Sequence, residues 1–239
     1  MSTRFSGQVA LVAGGTGGLG RAVSLALLEE GASVIVTYRI PQEFDALKGA
    51  AQSNLSRLEG HDLDVTDEAA VGQLIEGILS RHQRIDALVN AVGGYAGGPK
   101  LWEQPPQVFE HMLALNLRSG YVLSRKLVPA MLKQGRGVII NVAAKAGLAP
   151  PAGAAAYAAS KAAALALMES LAAEVKGSGV RVNSILPSII DTEANRKAMP
   201  DANFANWPKP QDIARVILFL CSDDARVIHG AEIPVYGAS

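Results

Sequence analysis

The chain has 239 residues, 49% of them apolar and 18% charged, with 24 Gly and 12 Pro. That composition buries a full core and excludes an intrinsically disordered chain. Lys plus Arg total 22 and Asp plus Glu total 22, so there is no long-range field of the kind that non-specific binding to nucleic acid or an anionic membrane needs. A single Cys, Cys221, excludes an intrachain disulfide, and His61, His82, His111 and His229 show no metal-ligand spacing, so no metal is expected.

In chain order, Val9 to Ala13 is an unbroken apolar run. It suits a strand covered on both faces and is too short for a signal-peptide core, so a cytoplasmic protein is expected. Leu19, Ala22, Val23, Ala26 and Leu27 then make one helical stripe, with Gly31 read as its C-cap. Further strands are predicted at Val34 to Thr37, Arg57 to His61, Ile85 to Asn90, Gly137 to Val142, Val180 to Ile185 and Ile233 to Val235. Helices are predicted from Asp67-Glu68 onward, at Pro106 to Ala114, Asn116 to Gln134, Ala154 to Val175 and Gln211 to Cys221. The Ala-rich stretch around Ala162 to Met168 is bracketed by Lys161 and Glu169 and falls short of a membrane span, so no membrane partner is expected. Strand and helix alternate throughout. The expected fold is therefore α/β: one doubly wound Rossmann domain over residues 1–239, with about seven parallel strands between two helical layers. The polar stretch Asp191 to Pro210 follows a strand's carboxyl end, where such sheets take ligands, and is read as a substrate lid.

Between the first strand and the first helix lies Gly14-Gly15-Thr16-Gly17-Gly18-Leu19-Gly20. Free backbone N–H groups and a positive helix end there suit a pyrophosphate, and Gly permits the close approach. An acid near the end of the second strand would accept from a ribose 2′-OH and repel a 2′-phosphate; the chain instead has Thr37-Tyr38-Arg39. NADP(H) is thus expected over NAD(H), unless Arg39 is only a solvated surface charge. Tyr157 and Lys161 are four residues apart in a helical segment and share a face. An ammonium there would stabilise the phenolate and draw the phenol pKa toward neutral, fitting Tyr157 to exchange a proton with substrate.

These features, over essentially the whole chain, resemble the short-chain dehydrogenases/reductases. Gly14, Gly18 and Gly20 match the family's T-G-x-x-x-G-x-G turn, with Ala13 in place of the Thr; Tyr157-Ala158-Ala159-Ser160-Lys161 matches Y-x-x-x-K. Asp64-Val65 looks like the pair that contacts adenine, and Asn90-Ala91-Val92-Gly93 is similar to N-A-A-G. The resemblance implies cofactor contacts at Gly14, Thr16, Gly17, Gly18, Leu19, Gly20, Arg39, Asp64, Val65, Asn90, Gly93, Lys161, Pro187 and Thr192. It also implies catalytic roles for Tyr157, for Lys161 on the nicotinamide ribose, and for Asn116 propping a water; the alternative for Asn116 is an N-cap. Common family assembly implies a homo-oligomer, a dimer or tetramer, through the Ala-rich helices.

One departure stands out. The family's usual Ser thirteen residues before the Tyr is here Ala144. Losing such a donor typically costs ~10²–10³ in turnover. The dihydropteridine reductase branch of the family shares the Ala144-Lys145-Ala146 triplet. Its G-G-W-A-G-G segment resembles Gly93-Gly94-Tyr95-Ala96-Gly97-Gly98, and its lid resembles Asp191-Thr192, Asn195-Arg196-Lys197, Met199-Pro200, Phe204 and Trp207. The likeness implies a quinonoid dihydropterin or similar conjugated acceptor, with Ala144, Lys145, Tyr95 and Trp207 on the substrate side. A general carbonyl reductase lacking the Ser and a catalytically silent NADP(H) sensor are the alternatives, and retention of the Tyr157 phenol weighs against the last.

Overall fold

The computed structural model describes residues 3–238. Seven strands form one parallel sheet: β1 (Val9–Ala13), β2 (Ser33–Tyr38), β3 (Leu58–Asp62), β4 (Ala87–Asn90), β5 (Gly137–Val142), β6 (Val180–Pro187) and β7 (Glu232–Val235). Their spatial order is β3-β2-β1-β4-β5-β6-β7, with Val9 opposite Ser33 on one side and Ala10 opposite Ala87 on the other. The order therefore reverses between β1 and β4, which opens a crevice at their carboxyl ends.

All five residues of β1 are buried, as an unbroken apolar run requires when both faces of a strand are covered. Strand side chains alternate between two cores. Ala10, Val12, Val34, Val36, Val89 and Ile140 belong to one; Val9, Leu11, Ile35, Leu88, Ile139 and Val182 belong to the other. The first core is covered by α1 (Gly18–Glu29), α2 (Pro41–Ala51) and α8 (Pro210–Cys221), with α1 packed against α8. The second is covered by α3 (Glu68–His82), α5 (Ser119–Gln134) and α6 (Ala155–Glu174). The short helices α4 (Pro106–Leu113) and α7 (Glu193–Ala198) lie outside these layers in sequence, in the connections that follow β4 and β6.

Four local differences from expectation have physical causes. Helix α2 was not predicted, because only Leu47 and Ala51 of its residues are buried and the apolar stripe is faint. The cap of α1 is Glu30, and Gly31, at φ 98°, is the left-handed residue that follows it. Asn116 does not open a helix: a π-turn, Ala114–Arg118, carries α4 directly into α5. The segment 191–210 is ordered locally, with Thr192 capping α7 by accepting from Asn195 N at 3.2 Å. Among the described residues no helix is long and apolar enough to cross a membrane.

Candidate active site

The glycine turn is shaped by contacts that exclude side chains. Gly14 has φ 69°; its N–H donates to Thr37 Oγ1 at 3.1 Å, and that of Gly15 to Thr37 O at 3.1 Å. A Cβ on Gly20 would overlap Gly14 O, one on Gly15 would strike Val36, and one on Gly18 would come within 2.7 Å of Thr192 Cγ2. Gly17 caps α1 with no side-chain hydrogen bond, so the first-turn N–H groups remain free to take an anion. These residues fit the diphosphate of a dinucleotide. Thr192 closes one side of the turn, and Leu19 reaches the cleft beyond it.

At the far end of the turn the charges are more crowded than the sequence showed. Arg39 is 64% exposed, but its Nη1 lies 3.0 Å from Asp64 Oδ2 and its Nε 4.0 Å from Asp62 Oδ1. Asp64 also accepts from Thr66 N and Oγ1, and these bonds, with Arg39 beyond them, hold its carboxyl below the usual carboxylate range. Val65 is buried. Thr16 is buried too, and its hydroxyl donates to Glu43 Oε2 at 2.9 Å. Glu43 went unnoticed in the sequence because α2 did. Pro41 at the first helical position was the available signal.

The cleft itself holds about 210 Å³ between the ends of β4, β5 and β6; its walls include Gly93, Tyr95, Ala144, Tyr157, Lys161, Pro187 and Ser188. Tyr157 lies in the first turn of α6 and Lys161 one turn later. Lys161 is 5% exposed, and its Nζ donates to Val142 O at 2.9 Å. Burial pushes its pKa down to about 8. Burial also pushes Tyr157 up to about 12, with the neighbouring Tyr95 adding to the rise. The lowering expected from Lys161 is not found here: the Tyr157 pKa is set by desolvation and by Tyr95, and the ammonium is itself desolvated and bonded to β5. The Tyr95 and Tyr157 rings stand nearly perpendicular, centroids 5.0 Å apart.

Asn116 is 2% exposed. Its Oδ1 accepts from Gly94 N at 3.0 Å, while Nδ2 donates to Gly94 O at 3.1 Å and to Ser160 Oγ at 3.0 Å. The π-turn thus ties the loop after β4 to α6, and π-turns often mark functional sites. Gly93 is wedged beside two of the three catalytic candidates: a Cβ there would come 2.9 Å from Asn116 Oδ1 and 3.0 Å from Lys161 Nζ. Ser160 was missed in the sequence; its place one residue before Lys161 gave no signal of its own.

Of the other expected site residues, Ala144 reaches the cleft and the rest fall outside its walls. Asn90 is buried in the sheet, donating to Asn141 Oδ1 at 3.2 Å and accepting from Val92 N, so it shapes the loop rather than lining the cleft. Ala144 is 6% exposed and extended on the cleft wall. Lys145 is not among the lining residues; its Nζ sits 4.8 Å from the centroid of the Tyr236 ring. Trp207 is 8% exposed and packs on Phe204, also away from the lining. A buried indole there stabilises the 191–210 segment.

Comparison with known proteins identifies the family. Residues 8–203 match the family model described as short chain dehydrogenase. The chain is 30% identical, over 98% of both proteins, to a 3-oxoacyl-[acyl-carrier-protein] reductase, FabG, of Thermotoga maritima. Among solved structures it is similar to ElxO with NADP bound, with TM-score 0.90, 26% identity and coverage of 96% and 97%. It is also similar to an NAD+-bound xylitol dehydrogenase, with TM-score 0.90, 25% identity and coverage of 98% and 99%.

Proposed function

Because the chain belongs to the short-chain dehydrogenase family, we propose that it is a nicotinamide-dependent oxidoreductase in which Tyr157 gives substrate its proton. A bound nicotinamide supplies the hydride; everything else falls to the side chains. The glycine turn holds the diphosphate, and Lys161 bonds the ribose hydroxyls. Gly93, having no side chain, leaves space beside Lys161 and Asn116. Tyr157, a phenol that is neutral across the physiological range and whose pKa burial raises further, enters the reaction as an acid.

NADP(H) is the proposed form. The end of β2 offers no carboxylate of its own, and Arg39 is the cation that a 2′-phosphate would draw away from Asp64.

For substrate we propose a conjugated, already activated acceptor such as a quinonoid dihydropterin. The observation that carries it is Ala144, which puts a methyl group on the cleft wall where a hydroxyl would polarise an ordinary ketone. A quinonoid ring gains aromatic character on reduction and needs less polarisation. The test is to mix purified protein, NADPH and chemically generated quinonoid dihydropterin. Cofactor oxidation should exceed the uncatalysed rate, and Tyr157→Phe should lose nearly all of the excess. Reduction of a keto compound is the second reading, favoured by the similarity to a 3-oxoacyl-[acyl-carrier-protein] reductase. We also propose a homo-oligomer, supported by the half-exposed Phe109, Tyr121 and Leu132 on α4 and α5.

A further inference from the structure

The cleft lacks a hydroxyl at position 144, yet it does not lack a second donor. Four of its lining residues carry a side-chain N–H or O–H: Tyr95, Tyr157, Lys161 and Ser188. Lys161 is buried and donates to Val142 O at 2.9 Å, and its remaining N–H groups are assigned to the nicotinamide ribose. Ser188 Oγ donates its one proton to Tyr236 O at 2.7 Å. Tyr157 is the proton donor. That leaves Tyr95, which is 66% exposed and perpendicular to Tyr157 with ring centroids 5.0 Å apart.

The loop around Tyr95 is built to admit its phenol. A Cβ on Gly97 would overlap the Tyr95 hydroxyl and ring, so only glycine leaves that space open. The loop is tied down by Gly98 N donating to Gly153 O at 2.9 Å, just ahead of α6. The Tyr95 phenol therefore lies against the Gly97 backbone, at the rim of the cleft, with its ring set edgewise to that of Tyr157.

We propose that Tyr95 is a second catalytic phenol, whose O–H donates to the substrate atom that Tyr157 protonates and so takes the part of the missing hydroxyl at 144. The proposal rests on the oxidoreductase reading above. In the reducing direction hydride adds to the acceptor carbon, and the carbonyl or imine π pair moves onto its oxygen or nitrogen. The Tyr157 O–H bond breaks, its proton goes to that atom, and the phenolate regains a proton from solvent. Tyr95 keeps its proton throughout, lending only a hydrogen bond that strengthens as negative charge develops. Two neutral phenols serve better than one here, because charge on the acceptor is shared between two donors.

The test compares kcat and KM of wild type, Tyr95→Phe, Ala144→Ser and the Tyr95→Phe/Ala144→Ser double variant on the best acceptor from a panel of quinonoid dihydropterin, quinones and ketones. NADPH affinity is followed in parallel by cofactor fluorescence. Tyr95→Phe keeps the ring contact and removes only the hydroxyl. The expected result is a loss of about 10–10² in kcat, with KM and NADPH affinity within about twofold. Adding Ala144→Ser should restore most of that loss, a larger gain than it gives in wild type. Wild-type kcat in Tyr95→Phe, or the same Ala144→Ser factor in both backgrounds, overturns the role of Tyr95 while leaving the oxidoreductase reading intact. A wild type inactive on the whole panel, or a fully active Tyr157→Phe, overturns that reading and this proposal together.

Discussion

Lys161 shares a helix face with Tyr157, yet its Nζ donates to the backbone oxygen of Val142, at the end of β5, at 2.9 Å. The ammonium is therefore a strut between helix and sheet before any cofactor arrives, and its burial has a cost that can be measured.

The first prediction concerns that cost. In the unfolded chain Lys161 titrates near 10.5; in the folded protein burial lowers it to about 8. Between those values the unfolded state binds more protons, so stability rises with pH as the folded lysine sheds its charge. Cys221 and Tyr157 act the other way, since burial raises each to about 12 from 9.0 and 10.0; their contribution is lost as pH climbs past the unfolded values. Lys161 dominates between about pH 8 and 9, where the unfolded Cys221 thiol has only begun to titrate. Chemical denaturation of wild type should show a net gain of about 0.5 kcal/mol across that window, and Lys161→Met should abolish that gain. A flat wild-type profile would contradict it.

Cofactor choice gives the second. Arg39 is shared with Asp64 and Asp62, and Glu43 stands against Thr16 in the glycine turn. Arg39→Ala should weaken NADPH binding about tenfold or more and leave NADH nearly unchanged. Glu43→Gln and Asp64→Asn should each tighten NADPH relative to NADH by about two- to fivefold, the scale of an exposed charge interaction. Fluorescence titrations with both cofactors decide the matter, and an unaltered preference in Arg39→Ala refutes the assignment.

Much of the fold was legible because β1, β4 and β5 are apolar runs with turn residues at their ends, and because Asp67 caps α3 as its position implied, accepting from Ala69 N at 2.9 Å. What escaped depended on distance in sequence. The acids around Arg39 arrive on β3 and just after it, so a reading of Thr37-Tyr38-Arg39 alone could not count them. The pKa of Tyr157 follows from burial rather than spacing, and a four-residue interval cannot show that Lys161 bonds to β5. Trp207 read as a pocket aromatic since its partner Phe204, three residues away, is visible only once the 3-10 turn between them forms.

Asn116 supplies the third prediction. Its amide closes a reciprocal pair with Gly94 and bonds Ser160, all at a nearly buried site. Asn116→Ala should destabilise the protein by about 1–3 kcal/mol through unpaired buried groups. It should lower kcat as well, because the loop carrying Gly93 and Tyr95 is held by the same bonds. Loss of neither, in thermal unfolding and steady-state assays, would mean the pair is dispensable.

At position 144 the fourth prediction is a gain. Ala144→Ser places a hydroxyl on the cleft wall and should raise kcat on simple ketones by up to about tenfold, less than it does in Tyr95→Phe, with little change on a quinonoid acceptor. An equal or lower ketone rate would show that polarisation at this point does not limit the wild type.

The account stands or falls on the phenol of Tyr157. Its most direct test is the rate of NADPH oxidation by wild type and Tyr157→Phe with quinonoid dihydropterin as acceptor, at saturating cofactor and with NADPH binding confirmed for both. Wild type should exceed the uncatalysed rate, and the variant should fall at least about 10²-fold while binding NADPH as tightly. A variant that turns over as fast as wild type would contradict the assignment of Tyr157 as proton donor.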